Sequence, residues 1–516
     1  MEYWTILLSV AIGALSIHYL FKHFNFFKRH GLIHAPSIPI LGCMAPVLFR
    51  QTSFTEILQD VYNYNPDAKY LGFYGMTQPI IMLRDPELIK EILIKNFDSF
   101  PNRRGFVEIN DPLSAKNLFS LRDQKWHDVR TLLSPAFTTS KLKAMFVLMS
   151  ECAVDFTEFL SETSADKSEI DMKDAFTKFT TDVIATCAFG IKVDTMRNPT
   201  NRFFIYGKEI TNFQGVRGIK FLTFKMFPKL AHFLGLKMIS EKIVNFFKNI
   251  VETTIVSRDA ENITRPDMIQ LMMDMRGKRG AERELSIEDM TAQAFIFFFA
   301  GFDSSATVMS FAAHEIAINP DVQAKLWREI DEVLEESNGK VTYEAINRLK
   351  YLDAVLSETL RMYTAPFIER ECERDYELPP TLPNEKPFTL KKGMLVWMPI
   401  YAIHRDGKYY DDPEKFRPER FLDNNVYHNS SCYIPFGLGP RICIANRFAL
   451  LEIKVLLFHL LARCELRPCA KTTLKLSKSL AIMLEGGFWL NVKRRSDVHP
   501  MIDVGSTTPD DDVINS

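Results

Sequence analysis

The chain has 516 residues, with 63 Lys plus Arg against 64 Asp plus Glu, so no global field marks it for nucleic acid or for a strongly acidic partner. Its 41 Phe and 21 Met favour a large, adaptable apolar interior, either as ordinary core or around a pocket for small apolar molecules. Eight cysteines (Cys43, Cys152, Cys187, Cys372, Cys432, Cys443, Cys464 and Cys469) are scattered with no CxxC pair, which excludes the spacing of a disulfide framework or a zinc site and fits a reducing compartment.

Tyr3 to Phe21 is almost wholly apolar, and ~19 residues at ~1.5 Å each suffice to cross a hydrocarbon core. Glu2 precedes this run and Lys22, Lys28 and Arg29 follow it, which favours an uncleaved anchor at residues 1–21 with the rest of the chain on the cytoplasmic side. Residues 22–46 are basic and proline-rich, with Pro36, Pro39 and Pro46 predicting a semi-rigid strap.

No repeat or low-complexity tract interrupts residues 47–500, which predicts one large domain. Helical periodicity dominates it, while Tyr70 to Leu83 and Phe388 to Trp397 carry β-formers near turn signals. The expected class is therefore mainly α with a small β region (α+β). A long helix opens at Ser286-Ile-Glu-Asp289, which resembles a capping box, and closes at Asn319-Pro320. Between Ala294 and Phe302 it is apolar on all sides and therefore buried. Asp303, Ser304 and Ser305 interrupt it, and buried polar groups are costly unless paired, hydrated or used. Residues 501–516 form an acidic tail with few large apolar residues, expected to be disordered.

The segment richest in chemistry reads Pro435-Phe-Gly-Leu-Gly-Pro-Arg-Ile-Cys-Ile-Ala445 and precedes a helical pattern from Asn446. Gly437, Gly439 and Pro440 permit a tight loop, and a thiolate at Cys443 would lie where backbone N–H groups and a helix N-terminus favour an anion. On this loop alone, a metal-ligating thiolate and a buried cysteine packed ahead of a helix are both open readings.

Phe436-x-x-Gly439-x-Arg441-x-Cys443 resembles the cysteine-ligand loop of the cytochrome P450 family, and the likeness extends over most of the chain. The resemblance implies that Cys443 ligates the iron of haem b, that Phe436 and Gly437 lie against the haem beside the sulfur, and that Arg441 binds a propionate. Trp126 and Arg130, one helical turn apart, would hold a propionate too, with Arg370 and Arg104 as further candidates. Glu358-Thr-Leu-Arg361 and the loop containing Arg420 resemble the family's buried triad, a structural device. Ala300-Gly301-Phe302-Asp303-Ser304 resembles the oxygen-activation motif: Gly301, beside Ala300, would leave room over the haem, while Asp303 and Ser304 would relay protons. Substrate contacts are expected at Phe106, Phe119, Phe297, Phe302, Phe367, Ile368, Ile482 and Met483, and around Phe203 to Phe233.

Three departures stand out. Ala445 replaces the usual glycine, Ser304 replaces the usual threonine, and the segment from Arg361 to Arg370 is about one residue short, with Thr364 where proline is common. The resemblance implies a monooxygenase that inserts one atom of dioxygen into an apolar small molecule. No GxGxxG or flavin segment is present, so electrons would come from a separate NADPH-cytochrome P450 reductase, with cytochrome b5 as a second partner, docking near Lys125, Arg447 and Lys454. Segments such as Leu132-Leu-Ser-Pro-Ala-Phe137 look most like insect microsomal enzymes of the endoplasmic reticulum that oxidise plant toxins and insecticides. The rival readings are an endogenous lipid or hormone hydroxylase, a haem-thiolate isomerase, and a non-enzymatic haem sensor.

Overall fold

The protein is described from a computed structural model, which covers residues 3, 4, 13, 25–104, 111–166, 169–212, 215–226, 228–275, 285–422, 431–478 and 482–495. Most of the expected anchor, the tail and Phe106 lie outside the described residues.

The described chain is mainly helical. Its principal helices are α1 (Phe54–Asn63), α2 (Asp123–Leu133), α3 (Thr139–Asp166), α4 (Met172–Phe189), α5 (Arg202–Thr211), α6 (Glu241–Glu261), α7 (Ile287–Ile318), α8 (Pro320–Glu336), α9 (Lys350–Met362) and α10 (Asn446–Arg463). α7 is the expected long helix of 32 residues. Its start is fixed by a capping box, in which Asp289 N–H donates to Ser286 Oγ at 3.1 Å and Ser286 N–H donates to Asp289 Oδ2 at 3.2 Å. It stops where Pro320 begins the next helix, since proline has no N–H to continue the ladder. By length and composition α7 could cross a membrane. Instead α4, α5, α6, α9 and α10 all pack on it, and it is the central beam of the molecule.

The β-formers make β1 (Tyr70–Gly75) and β2 (Gln78–Leu83), paired antiparallel with Tyr70 opposite Leu83. The segment from Phe388 to Trp397 divides at Gly393, whose φ of +86° turns the chain. Its first part, Phe388–Leu390, pairs with Tyr376–Leu378 in a two-stranded ribbon. Its second part, Leu395–Met398, lies parallel to β2 and antiparallel to Ile368–Glu371, completing a four-stranded sheet.

Among the described residues the apolar interior comes in two large pieces and one small one around Phe224 and Ala231. Of the two large pieces, the larger cluster joins α3, α4, α6, α7 and α10, and the smaller one packs α1 and the four-stranded sheet. Leu438 packs against the smaller cluster, whereas Ile444, Ala445 and Phe448 pack against the larger. The Cys443 loop therefore bridges the two.

Candidate active site

The loop ahead of α10 is built by three turns of backbone bonding. Gly437 N–H donates to Ile434 O at 3.0 Å, Ile442 N–H to Gly439 O at 2.9 Å, and Cys443 N–H to Phe436 O at 2.9 Å. Gly437 and Gly439 take φ of +85° and +74°, a region that strains any residue with a Cβ. At Gly439 a Cβ would also collide with the Leu93 carbonyl oxygen. Cys443 has solvent-accessible surface although protein encloses it closely, as expected of the wall of an internal cleft. Burial pushes its thiol pKa up, opposed by the Ala445 backbone N–H and by Arg130 and Arg103.

Four guanidinium groups gather around this loop, and two of them, Arg103 and Arg130, act on the sulfur. Arg370 is fully buried, and burial, with repulsion from Arg103 and Arg441, holds its pKa well below the usual range. Arg441 is pushed down to about 9 by burial and by Arg103, Arg122 and Arg130. Arg103 is pushed down to about 10 by burial, and Arg130 is lowered for the same reason. Arg441 stacks over the Trp126 ring at 4.1 Å and donates to Leu121 O at 2.9 Å and Asn102 Oδ1 at 3.3 Å. Its Nε and Nη1, and Arg370 Nε, have no hydrogen-bond partner. Buried charged donors left unpaired are expensive. Two carboxylates brought by a ligand would satisfy them, so these residues fit a haem with its two propionates.

Arg104 does not join this cluster. It forms an ion pair with Glu371 at 3.8 Å and donates to Gly393 O at 3.0 Å, and its neighbour Arg103 occupies the position expected for it. Alternation along an extended segment turns adjacent side chains to opposite sides, and an Arg-Arg pair in sequence does not say which is inward.

α7 carries the expected oxygen-side residues. Ala300 and Ser304 are exposed in the middle of this otherwise buried helix, and Phe297, Gly301 and Val308 flank them at helical spacing, partly exposed. Phe302 is not on this face. Its ring is fully buried against Phe298 and Phe204 on α5, where Gly207 makes room for it, so the expected pocket role is replaced by core packing. Gly301 also has a packing role. A Cβ there would come within 2.6 Å of Ile184 Cδ1 on α4, so the space it leaves is taken by a neighbouring helix.

Asp303 pairs with Lys173 of α4 at 2.8 Å, the Lys173 side chain being mostly buried. The Ser304 hydroxyl donates back to Ala300 O at 2.6 Å. Beneath it, the buried Glu452 of α10 has its pKa raised to about 8 by burial, with the Ser305 hydroxyl opposing. Ser305 is near enough to act on Glu452, yet neither carboxylate oxygen has a well-formed hydrogen bond.

Phe119 is exposed and carries Arg103 over its ring at 4.5 Å. Phe297 packs on Phe137 with ring centroids 5.5 Å apart. Ile482 and Met483 are partly buried against the larger cluster. Phe367 lies stacked on Trp397 at 3.8 Å and edge-on to Phe54, which ties it to the sheet. Ile368 lies beside Gly437, whose added Cβ would sit 3.6 Å from its Cδ1.

The triad is assembled and buried. Arg361 binds Glu358 through both carboxylate oxygens at 2.8 and 2.9 Å, and Arg420 Nε adds a bond at 3.0 Å. His404 was not singled out from sequence, and the structure makes it a strut. Its Nε2 accepts from Ile434 N–H at 3.1 Å, so Nδ1 carries the proton that Arg361 O receives at 3.1 Å. Burial lowers its pKa to about 3, which keeps the ring neutral in this role. A histidine between an apolar run and Arg405-Asp406 was the available signal. Of the three basic residues expected on the partner-facing side, Lys125 and Arg447 are exposed. Lys454 is buried and paired with Asp353 at 2.5 Å, which removes it from any docking surface.

Known proteins match this chain over most of its length. The cytochrome P450 family model matches residues 34–490. Cytochrome P450 9e2 of Blattella germanica is 43% identical over 530 aligned positions, covering 96% of this chain and 98% of the relative. Probable cytochrome P450 9f2 of Drosophila melanogaster is 39% identical, covering 92% and 95%, and cytochrome P450 6j1 of Blattella germanica is 35% identical, covering 96% and 99%.

Proposed function

Since the chain belongs to the cytochrome P450 family, a family of haem-thiolate monooxygenases with insect members, we propose that it oxidises apolar foreign compounds such as plant toxins and insecticides. The observation that carries the site assignment is the cluster of buried, incompletely paired guanidinium groups around a cysteine at a helix N-terminus. Cys443 supplies the sulfur ligand, and the Ala445 N–H, Arg103 and Arg130 favour its anionic form. Arg370 and Arg441 take the propionates through the donors that have no protein partner, with Trp126 as the platform under Arg441. Phe436 and Gly437 pack beside the sulfur. When bound, haem supplies the dioxygen binding and electron chemistry that no side chain here can perform.

On the opposite wall Asp303 is the proton donor and Ser304 the hydroxyl that orients its delivery, with Lys173 holding the carboxylate in reserve. For Ser304 to act, its bond to Ala300 O must give way, a rotation that serine makes more readily than threonine. Phe119, Phe297, Ile368, Ile482 and Met483 shape an apolar pocket, whose single contacts discriminate by only ~1–3 kcal/mol. That suits a broad substrate range.

The enzyme works with a reductase that delivers electrons from NADPH, docking at the face bearing Lys125 and Arg447, and cytochrome b5 is a second partner for that face. We assign residues 1–21 as an anchor in the endoplasmic reticulum membrane, 22–46 as the strap and 47–500 as the catalytic domain facing the cytoplasm. The test is incubation with reductase, NADPH and a panel of plant toxins, insecticides, lipids and hormones, read by mass spectrometry. Turnover of several unrelated toxins is expected. Selective turnover of one lipid or hormone would assign an endogenous hydroxylase, and rearranged products without NADPH an isomerase.

A further inference from the structure

Four residues of α4, namely Lys173, Thr177, Thr180 and Ile184, recur at helical spacing on one face, and α7 packs on that helix. Gly301 is what lets the two approach. With no Cβ it gives way to Ile184, where any side chain would leave only 2.6 Å. Because the backbones are close, short side chains on α4 reach the carbonyl oxygens of α7. Thr180 Oγ1, fully buried, lies 2.9 Å from Phe302 O and 3.1 Å from Thr177 O of its own helix, and the nearer carbonyl, across the helix interface, is the one that receives its single hydrogen. Lys173 Nζ donates to Asp303 O at 2.9 Å, to Thr307 Oγ1 at 2.6 Å and to the Asp303 carboxylate at 2.8 Å. Thr307 Oγ1 in turn donates to the same Asp303 carbonyl at 2.7 Å.

These bonds are concentrated in one turn. Carbonyls 302 and 303 each accept a donor from outside the helix backbone in addition to any ladder bond, so this turn is held by more bonds than its own ladder supplies. The turn they grip is the one that carries Asp303 and Ser304. The clamp fixes the turn's position relative to α4 from two points seven residues apart.

We propose that Thr180, together with the Gly301–Ile184 contact, is a positioning device for the proton-delivering turn of α7. Thr180 touches neither substrate nor haem in this account and acts through the Phe302 carbonyl. The role proposed here for Gly301 is to admit α4, which differs from leaving room for dioxygen. This rests on the assignment of Asp303 and Ser304 above, and it predicts that loss of the clamp misdirects protons without disturbing the sulfur side.

The experiment uses the full-length holoenzyme reconstituted with reductase. Thr180→Val is expected to keep the thiolate-type red-shifted band of the reduced carbon monoxide complex. Product per NADPH should fall and peroxide should rise, and hydrogen exchange of the backbone amides of 299–308 should quicken about fivefold, as for the loss of one ordinary hydrogen bond. Thr180→Ser should restore both. Gly301→Ala provides a second variant that leaves Thr180 intact: it should show the same two defects, and Ile184→Ala in the same chain should relieve them. Unchanged coupling and exchange in Thr180→Val would overturn the proposal, as would a Gly301→Ala defect that Ile184→Ala does not relieve. Hydrogen exchange does not depend on turnover, so it tests the clamp even if the wild-type chain lacked the thiolate-type band, a result that would sink the haem-ligand assignment alone.

Discussion

At the scale of single residues, the sulfur ligand and Glu452 lend themselves to direct tests. Cys443→Ser should abolish the thiolate-type Soret band of the reduced carbon monoxide complex, whereas Cys432→Ser, buried with its carbonyl accepting from Tyr410 OH, should leave it unchanged. An exchange of those two results would end the assignment. Glu452 makes a different prediction. Burial lifts its pKa from the ordinary 4.5 to about 8, so the folded chain keeps a proton that the unfolded chain releases. The stability this group permits is full below about pH 4.5 and is lost progressively as pH rises towards about 8. Glu452→Gln should remove that part of the slope, so thermal unfolding of the variant should gain on the wild type between about pH 5 and about pH 8. A constant gap across that range would refute it. The residue scale is also where sequence reading was strongest and weakest. Glu358, Arg361 and Arg420 meet as the family resemblance implied, although their charge and spacing alone fit a surface ion pair equally well, whereas Arg103 and Arg104 are adjacent and alike, and only the fold tells them apart.

At the scale of elements, the boundaries of α7 were legible in its capping box and its terminal Asn-Pro, but the rotation of its faces was not. An all-apolar stretch has no polar side to mark the solvent, so nothing in the sequence put Phe302 against α5 or Gly301 against α4. The same limit hid Lys454, whose charge suggested a surface and whose partner Asp353 lies on another helix. Two elements meet at His404, which ties the carbonyl of Arg361 at the end of α9 to the N–H of Ile434 ahead of the Cys443 loop. His404→Ala would orphan both groups at ~1–3 kcal/mol each. The expected result is a chain that folds with a lower unfolding midpoint and loses haem faster to an acceptor protein. Wild-type haem retention would contradict the strut. Breaking the triad should be harsher: Glu358→Ala strands two buried guanidinium groups at about 3–5 kcal/mol, and little haem-loaded protein should be recoverable on purification.

At the scale of the whole molecule, one domain with two large apolar clusters follows from the sequence only in outline. The long uninterrupted stretch announced a single domain, but the division of the core depends on which strands pair, and the parallel partnership of Gln78–Leu83 with Leu395–Met398 joins residues over 300 positions apart. No local pattern encodes such a contact. The proposed anchor is a whole-molecule property as well. Removing residues 1–21 should move the chain from the membrane pellet to the supernatant at raised salt while leaving the carbon monoxide spectrum unchanged. Continued sedimentation with membranes would point to a second attachment.

The four guanidinium groups around the Cys443 loop carry a consequence for the living cell. Arg103 pushes down the pKa values of both Arg370 and Arg441, and Arg441 that of Arg370, so a newly made chain holds like charges together until two carboxylates arrive. Whatever supplies those carboxylates acts as a chaperone for the polypeptide, since ligand that binds only the folded form shifts the folding balance by mass action. Synthesis of the protein and synthesis of the pigment are then linked through degradation: in a cell short of haem, the steady-state amount of this chain should fall with no change in its messenger RNA.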